Sequence, residues 1–364
     1  MGRTTTAAVV RTPEGPFTLE TVELDDLRAD EVLVRIEAAG VCHTDLEMQH
    51  IVPMPAVVGH ESAGVVEETG LAVDYVKPGD RVIISWPACG VCPSCISGRR
   101  DLCYVQFPLL FSGHRLDGSS TIKLGDEWIS GAFFQQSSFA EYSIAPAGSL
   151  IKVEDDLPWE LLAALPCGVM TGSGSIINAL QVGVRDDLVV FGAGGVGMSA
   201  IMAGRLVGAD PIIAVDINAD RLALALELGA THVVNAATED VVARLAEIVP
   251  GGLRFAFDAS GAPSSWSSAL LSLGNGGVFG IAAPPRADGF GVDPNVMLSK
   301  AARIQFILAG AATPRIFLPK LMKWYKQGRF PVDRLIKTFP FADINTAFAE
   351  AKAGRAVKPV VLMR

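Results

Sequence analysis

Leu188–Gly197 reads LVVFGAGGVG. An apolar run is followed by Gly192, Gly194 and Gly197 at the spacing G-x-G-x-x-G, and then by a helix-like stretch, Gly195–Val207. Each glycine has a task where a strand turns into a helix. Gly192 permits the tight turn, Gly194 lets the backbone approach a pyrophosphate, and Gly197 lets the helix pack on the strand. The helix start offers free N–H groups and a partial positive charge. A second apolar run, Ile212–Val215, ends at Asp216, 19 residues after Gly197. An acid there binds the ribose 2′-hydroxyl of NAD and repels the phosphate of NADP. Read alone, Asp216 is equally a solvated strand-end acid or an N-cap. With the glycines, the pattern predicts a dinucleotide site that prefers NAD.

Outward from this turn, short apolar runs recur at Val233–Val234, Arg254–Asp258, Val278–Ile281 and Ile304–Ile307. Most are separated by helix-like stretches such as Ala219–Leu228. Alternating strand and helix predicts a doubly wound parallel α/β sheet. The first ~165 residues differ, because β-prone pieces such as Glu31–Ala38, Gly64–Thr69 and Asp80–Ser85 are broken by Gly and Pro, as in a barrel or sandwich. Near the end, Pro314–Gln327 reads as an amphipathic helix with Ile316, Leu318, Leu321, Met322 and Tyr325 on its apolar face. A length of 364 residues fits two domains.

Composition narrows the function. Half of the residues are hydrophobic and the formal charge is −9, so a large core is possible and nucleic acid has no basic footprint to bind. The uncharged apolar stretch Leu188–Gly204 is glycine-rich and short of a ~20-residue bilayer span. The N-terminal MGRTTTAAVV has no apolar signal core, so a cytoplasmic location is expected. Six cysteines are too few for a disulfide scaffold at this length.

Four of the six cysteines, Cys89, Cys92, Cys95 and Cys103, form C-x2-C-x2-C-x7-C. Four thiolates at this spacing can close a tetrahedral structural zinc site. An iron–sulfur cluster also uses four thiolates, but its short runs are spaced differently. The other two, Cys42 in GVCHTDL and Cys167 in LPCGVMTG, join His60 in VVGHESAG as three donors. Three protein ligands leave a fourth position open, the pattern of a catalytic zinc. Singly, each is ordinary: a lone Cys is usually buried filler.

Together these residues resemble the zinc-dependent alcohol dehydrogenases of the medium-chain dehydrogenase/reductase family. Gly59, His60, Glu61, Gly64, Gly70 and Val73 match the signature G-H-E-x2-G-x5-G-x2-V. The Cys42-x-Thr44-Asp45 segment, the four-cysteine lobe, the Cys167-Gly-x-x-Thr-Gly segment and the glycine turn follow in the family's order. The resemblance covers essentially the whole chain. It implies a GroES-like catalytic domain at 1–168 and 312–364, with a Rossmann NAD domain at 169–311. It also implies a homodimer or homotetramer acting on a small-molecule alcohol or aldehyde, with no nucleic acid or membrane partner.

Residue by residue, the resemblance makes Cys42, His60 and Cys167 the ligands of a catalytic zinc, with a second, structural zinc on the four-cysteine lobe. Glu61 is an acid able to approach the metal, and Asp45 fixes the His60 tautomer. Thr44 hydrogen-bonds the alcohol oxygen and starts a proton relay. His43 and Lys358 are basic contacts to the pyrophosphate, and Thr171 lies beside the nicotinamide. Gly195, Val196 and Arg221 complete the cofactor set. The metal is expected to dominate the chemistry. Zinc brings a bound water from a pKa of ~16 to about 7, whereas a general base supplies ~10²–10⁴-fold. One position departs from the better-known members, where the relay ends on a histidine five residues after the first ligand cysteine. Here that residue is Glu47, so the proton could end on Glu47, on His50 or in water.

Trp86, Tyr104, Phe107, Leu109, Leu110, Phe111, Phe133 and Phe134 predict an aromatic pocket, or else the packed core of a loop. CHTDL, SSFAEY and FGAGGVGMSA are similar to the aryl and allylic alcohol branch, whose substrates are benzyl- or geraniol-type primary alcohols. Two alternatives remain open. One is an S-(hydroxymethyl)glutathione/formaldehyde-type dehydrogenase, and the other a non-catalytic NAD-binding relative, which the complete metal set argues against.

Overall fold

A computed structural model describes residues 3–154, 156–285, 291 and 293–364. The chain divides into two compact units. The first comprises Met1–Cys167, Thr313–Pro319 and Asp333–Arg364, and the second Gly168–Ala312 and Lys320–Val332. The early and late parts of the chain therefore share one unit. Lys320–Val332 groups with the second unit. The division falls at Pro319, inside the helix Pro314–Lys326, where a missing N–H interrupts the hydrogen-bond ladder. On that helix Leu318, Leu321 and Met322 are buried as predicted, but Ile316 is exposed and Phe317 is buried in its stead.

In the first unit, Glu31–Gly40 is the central strand. It pairs antiparallel with Ser62–Thr69, Tyr142–Pro146 and Lys358–Leu362. It is buried along almost its whole length, which explains why EVLVRIEAAG shows little alternation. The sheet continues through Arg81–Ile84 to Leu150–Val153 on one side and to Ile336–Pro340 on the other. A second, five-stranded sheet contains Arg3–Val10 and Thr18–Leu24. Val34, Ile36, Ile84, Phe133 and Phe139 belong to the core of this unit.

The second unit carries a six-stranded sheet in the order His232–Asn235, Ile212–Asp216, Leu188–Phe191, Leu253–Asp258, Leu273–Ile281 and Arg303–Phe306. Every adjacent pair is parallel. The chain starts at Leu188–Phe191, steps outward one way, then returns to the other side at Leu253–Asp258. That reversal is the topological switch point, where a ligand crevice opens at the strand ends. The glycine turn follows the first of these strands.

The described helix long and apolar enough to cross a membrane is Trp159–Ala179, which the sequence reading passed over. It is mostly buried inside the protein, as a core helix is. Around Pro166 its winding widens to five-residue π turns over Leu165–Val169, the segment that carries Cys167. Such turns are frequent at functional sites.

Candidate active site

Cys42 lies in the short loop between Glu31–Gly40 and the helical turn Thr44–Glu47, and Gly59–Glu61 lead into Ser62–Thr69. The donor atoms of Cys42, His60, Glu61 and Cys167 all lie within 4.8 Å of one another. His60 Nε2 stands 3.2 Å from Cys167 Sγ and 4.0 Å from Glu61 Oε1. Asp45, fully buried, ties this group together. Its Oδ1 lies 2.7 Å from His60 Nδ1 and accepts the Gly59 N–H at 3.2 Å, while Oδ2 accepts the Cys42 N–H at 3.0 Å. One carboxylate thus fixes the imidazole so that Nε2 faces the thiols. Gly59 has φ +99°, and a Cβ there would meet the Phe139 nitrogen at 2.6 Å, so no other residue fits.

The charges within this cradle are strongly coupled. A hydrogen bond from Cys167 outweighs burial and holds the Cys42 thiol well below its usual pKa, with His60 adding to it. The same contact, together with burial, pushes Cys167 well above the usual thiol range. Burial pulls His60 down, but Asp45 and Cys42 overcome it and the imidazole ends well above its ordinary value. Glu61 is pushed up to about 7 by burial, against the pull of Lys358. Its Oε2 accepts from Lys358 Nζ, whereas Oε1 is buried with no hydrogen-bond partner. Two sulfurs, one imidazole nitrogen and an orphaned carboxylate oxygen converge on one small space. That donor set fits a zinc ion, which would stabilise both sulfurs as thiolates.

Cys89, Cys92, Cys95 and Cys103 form a second group of donors within 4.8 Å of one another. The chain wraps them through Gly90 and Gly98, both at positive φ. N–H groups point at the sulfurs, as in the 3.3 Å contact from Cys89 N to Cys103 Sγ. Cys92 is drawn down to about 6 by the N–H groups of Tyr104 and Cys95, while burial pushes Cys95 up to about 12. A set of four sulfurs fits a closed site.

In the second unit, Gly192 stands at φ +90°, and a Cβ on Gly197 would lie 1.7 Å from the Gly192 carbonyl oxygen. Gly194 has open space where its Cβ would be, leaving room for a ligand. Gly195 and Val196 begin the helix Gly195–Val207. Asp216 ends its strand as predicted, but one of its oxygens, Oδ2, accepts the Ala193 N–H at 2.6 Å. It is therefore a brace of the turn as well as an acid beside it. Arg221 lies on the helix Ala219–Leu228, its Nε buried with no hydrogen-bond partner. Thr171 is half-buried in Met170–Gly174. A buried acid that sequence reading missed, Asp258, accepts from Gly261 N, Trp266 Nε1 and Ser260 Oγ. It seats Ser260 against Gly192.

Other expected residues fall as follows. Thr44 Oγ1 lies 3.6 Å from Cys42 Sγ. His43 and Glu47 face one another at 3.9 Å, both partly exposed. His50 turns to Glu14 at 3.3 Å. Lys358 is directed inward, onto Glu61 and the Val41 carbonyl. Among the aromatics, Phe134 stacks on the His60 ring at 4.4 Å, and Trp86, Phe111 and Phe133 pack around Phe134. Tyr104 and Phe107 are 72% and 62% exposed, and Phe107 meets the group only at its edge, 5.3 Å from the Phe111 ring. Leu109 belongs instead to the small core of the four-cysteine lobe.

Residues 28–155 match the alcohol dehydrogenase GroES-like domain, and residues 195–326 the zinc-binding dehydrogenase domain. A geraniol dehydrogenase of Castellaniella defragrans is 41% identical over 98% of this chain and 97% of its own. An S-(hydroxymethyl)glutathione dehydrogenase of Paracoccus denitrificans is 33% identical over 98% and 99%. The crystal structure of benzyl alcohol dehydrogenase from Acinetobacter calcoaceticus is 38% identical, with a TM-score of 0.95 and all of both chains covered. Sequence, fold and cysteine geometry agree, and the chain belongs to the zinc-binding alcohol dehydrogenases of the medium-chain dehydrogenase/reductase family.

Proposed function

We propose that this alcohol dehydrogenase binds two zinc ions, one at Cys42, His60 and Cys167 and one at the four-cysteine lobe. It oxidises an aryl or allylic primary alcohol with NAD. The observation that carries the substrate class is the aromatic cover of His60. Phe134 lies face to face on the imidazole, and Trp86, Phe111 and Phe133 surround it. Walls of this kind suit a flat or unsaturated apolar group beside the metal better than a polyol. The similarity to geraniol and benzyl alcohol dehydrogenases supports the same class.

When bound, zinc supplies a Lewis acid and NAD a hydride acceptor. The chain does the rest. Thr44 Oγ1 would accept the hydrogen bond of the alcohol O–H and pass its own proton outward as the alcohol gives one up, with the partly exposed pair His43 and Glu47 as the outer end of the path and Glu47 as the final acceptor. Asp45 fixes His60, and Glu61, whose Oε1 has no hydrogen-bond partner, would be the acid able to approach the metal. The aromatic cover excludes water from the imidazole face. The Gly192–Gly197 turn would seat the pyrophosphate, Asp216 and Arg221 would hold the adenosine ribose, and Thr171 would border the nicotinamide. His43 and Lys358 are the basic residues that would meet the phosphates, Lys358 only once its ammonium leaves Glu61.

A cytoplasmic homodimer or homotetramer belongs to the same reading. Six free thiols among the described residues support a reducing compartment. The edge strand Arg303–Phe306, with Phe306 exposed, supports an interface in the second unit.

The test is NADH formation against benzyl, allylic, aliphatic and polyol alcohols, with zinc content by mass spectrometry. Two zinc ions per chain and the highest kcat/KM on benzyl or allylic alcohols are expected. A requirement for a thiol adduct of the aldehyde would favour the formaldehyde-type alternative. One zinc per chain would overturn the two-site reading.

A further inference from the structure

The backbone over His60 is unusual. Phe134, Gln135 and Ser137 have φ of 50°, 54° and 48°, three non-glycine residues in the left-handed region within four positions. Such conformations are costly, and they persist where the surroundings enforce them, often at functional sites. Here the enforcement is visible. Gln135 Nε2 donates to the carbonyls of Leu109 and His114, and Ser137 Oγ donates to Val57 O at 2.6 Å. The Phe133 N–H donates back to Ser137 Oγ at 2.9 Å.

The arch has a consequence for the chain that carries the metal ligand. Backbone pairing runs from Phe139 N to Val58 O and from Ser138 N to Gly59 O, both at 3.0 Å. It would reach His60 next, but the left-handed turn at Ser137 takes the arch backbone away. The His60 carbonyl is then buried with its ladder partner missing, a state proteins avoid. A side chain fills the gap. Gln136 Nε2 donates to His60 O at 3.0 Å, and Gln136 Oε1 accepts from Ser62 Oγ at 2.9 Å. The Gln136 carbonyl in turn accepts from Ser143 Oγ. Gln136, Ser62 and Ser143 are 1%, 0% and 2% exposed. One amide therefore grips the chain on either side of Glu61, using its donor and its acceptor at once. No other side chain of similar length offers both.

We infer that Gln136 is a positioning residue for the catalytic metal: it fixes the backbone of His60 while Asp45 fixes the ring's far nitrogen and Phe134 its face. This rests on the reading of Cys42, His60 and Cys167 as a zinc site. Removing the amide leaves the His60 backbone free to shift, so the imidazole loses its aim and the zinc is held less tightly. Partners one step out from a metal ligand commonly change metal affinity by 10–100-fold.

The holoenzyme tests this with EDTA as the probe. Zinc release is followed for the wild type and for Gln136→Met, which keeps the volume and removes both hydrogen bonds. Release of the more labile zinc should be about tenfold faster or more, with the second zinc unaffected. After cobalt(II) replaces the labile zinc, the visible bands of the site should move in the variant. Ser62→Ala removes one bond and leaves the packing intact. It should give a smaller acceleration in the same direction, and it stands in if Gln136→Met does not fold. Unchanged release with unchanged cobalt bands would overturn the proposal. So would equal acceleration of both metals, which marks general loosening of the fold. If the wild type holds no labile zinc, it is the metal-site reading that fails instead.

Discussion

Lys358 and Glu61 form an ion pair sealed inside the first unit, 6% and 0% exposed at their side chains and 297 positions apart in sequence. Breaking such a pair leaves a buried charge uncompensated, at a cost of about 3–5 kcal/mol. The pH dependence follows from Glu61. Burial raises its pKa to about 7, so the folded chain binds a proton that the unfolded chain, with a carboxyl near 4.3, has already lost. Stability contributed by Glu61 therefore falls as pH rises through this window and levels off above about 7. Lys358 holds the pKa down, so Lys358→Met should extend the fall to higher pH. Urea unfolding should show the largest deficit near pH 9 and a much smaller one near pH 5. A deficit independent of pH would assign the loss to packing instead of charge.

The four-cysteine lobe offers a different kind of test, because its core is little more than the sulfurs, Leu109 and their neighbours. So small a cluster depends on its metal. Cys103→Ser should lower the melting temperature by several degrees and remove one zinc, while the metal at Cys42, His60 and Cys167 remains. Calorimetry with metal analysis checks both. Normal stability with two zinc ions bound would sink the assignment.

What could be read from the sequence was what is local. Leu188–Phe191, Gly195–Val207 and Ala219–Leu228 have the bounds their patterns predict, because apolar period and glycine spacing act over a few residues. The cysteine groups were legible because their chemistry admits few readings. Gln136 was not. Its importance arises only once the backbone turns left-handed at Phe134, Gln135 and Ser137, and nothing in FFQQSSF demands that turn. Lys358 was legible as a basic residue, but the direction of its ammonium was set by a strand pairing, Val360 with Gly40, across most of the chain. Tyr104 and Phe107 are mostly exposed, because aromatic character alone does not say which side of a segment faces out.

The outer end of the proton path is tested at Glu47. His50, the other candidate, is turned to Glu14, whereas Glu47 lies 3.9 Å from His43, beside Thr44 in sequence. Glu47→Gln removes the proton acceptor and keeps the shape. The alkaline plateau of kcat should survive, because hydroxide can take the proton there, while kcat near pH 6–7 drops on the order of tenfold or more. His50→Gln should leave the profile unchanged. An unaltered profile for Glu47→Gln would remove it from the path.

Asp216 has two tasks that substitution can separate. Its Oδ2 accepts the Ala193 N–H at 2.6 Å inside the glycine turn, and Oδ1 accepts the Asn218 N–H at 2.9 Å. Its charge is also what should exclude the 2′-phosphate of NADP. Asp216→Asn removes the charge and keeps one acceptor, which can stay on the Ala193 N–H while the Asn218 bond is lost, so KM for NADP should fall while the turn holds and the melting temperature drops only slightly. Asp216→Ala also orphans a buried donor, worth about 1–3 kcal/mol. That variant should therefore raise KM for NAD on the order of tenfold and gain little with NADP, because the pyrophosphate seat is loosened for both cofactors. If the two variants behave alike toward both cofactors, the carboxylate acts through its charge alone and the brace on Ala193 carries no weight in binding.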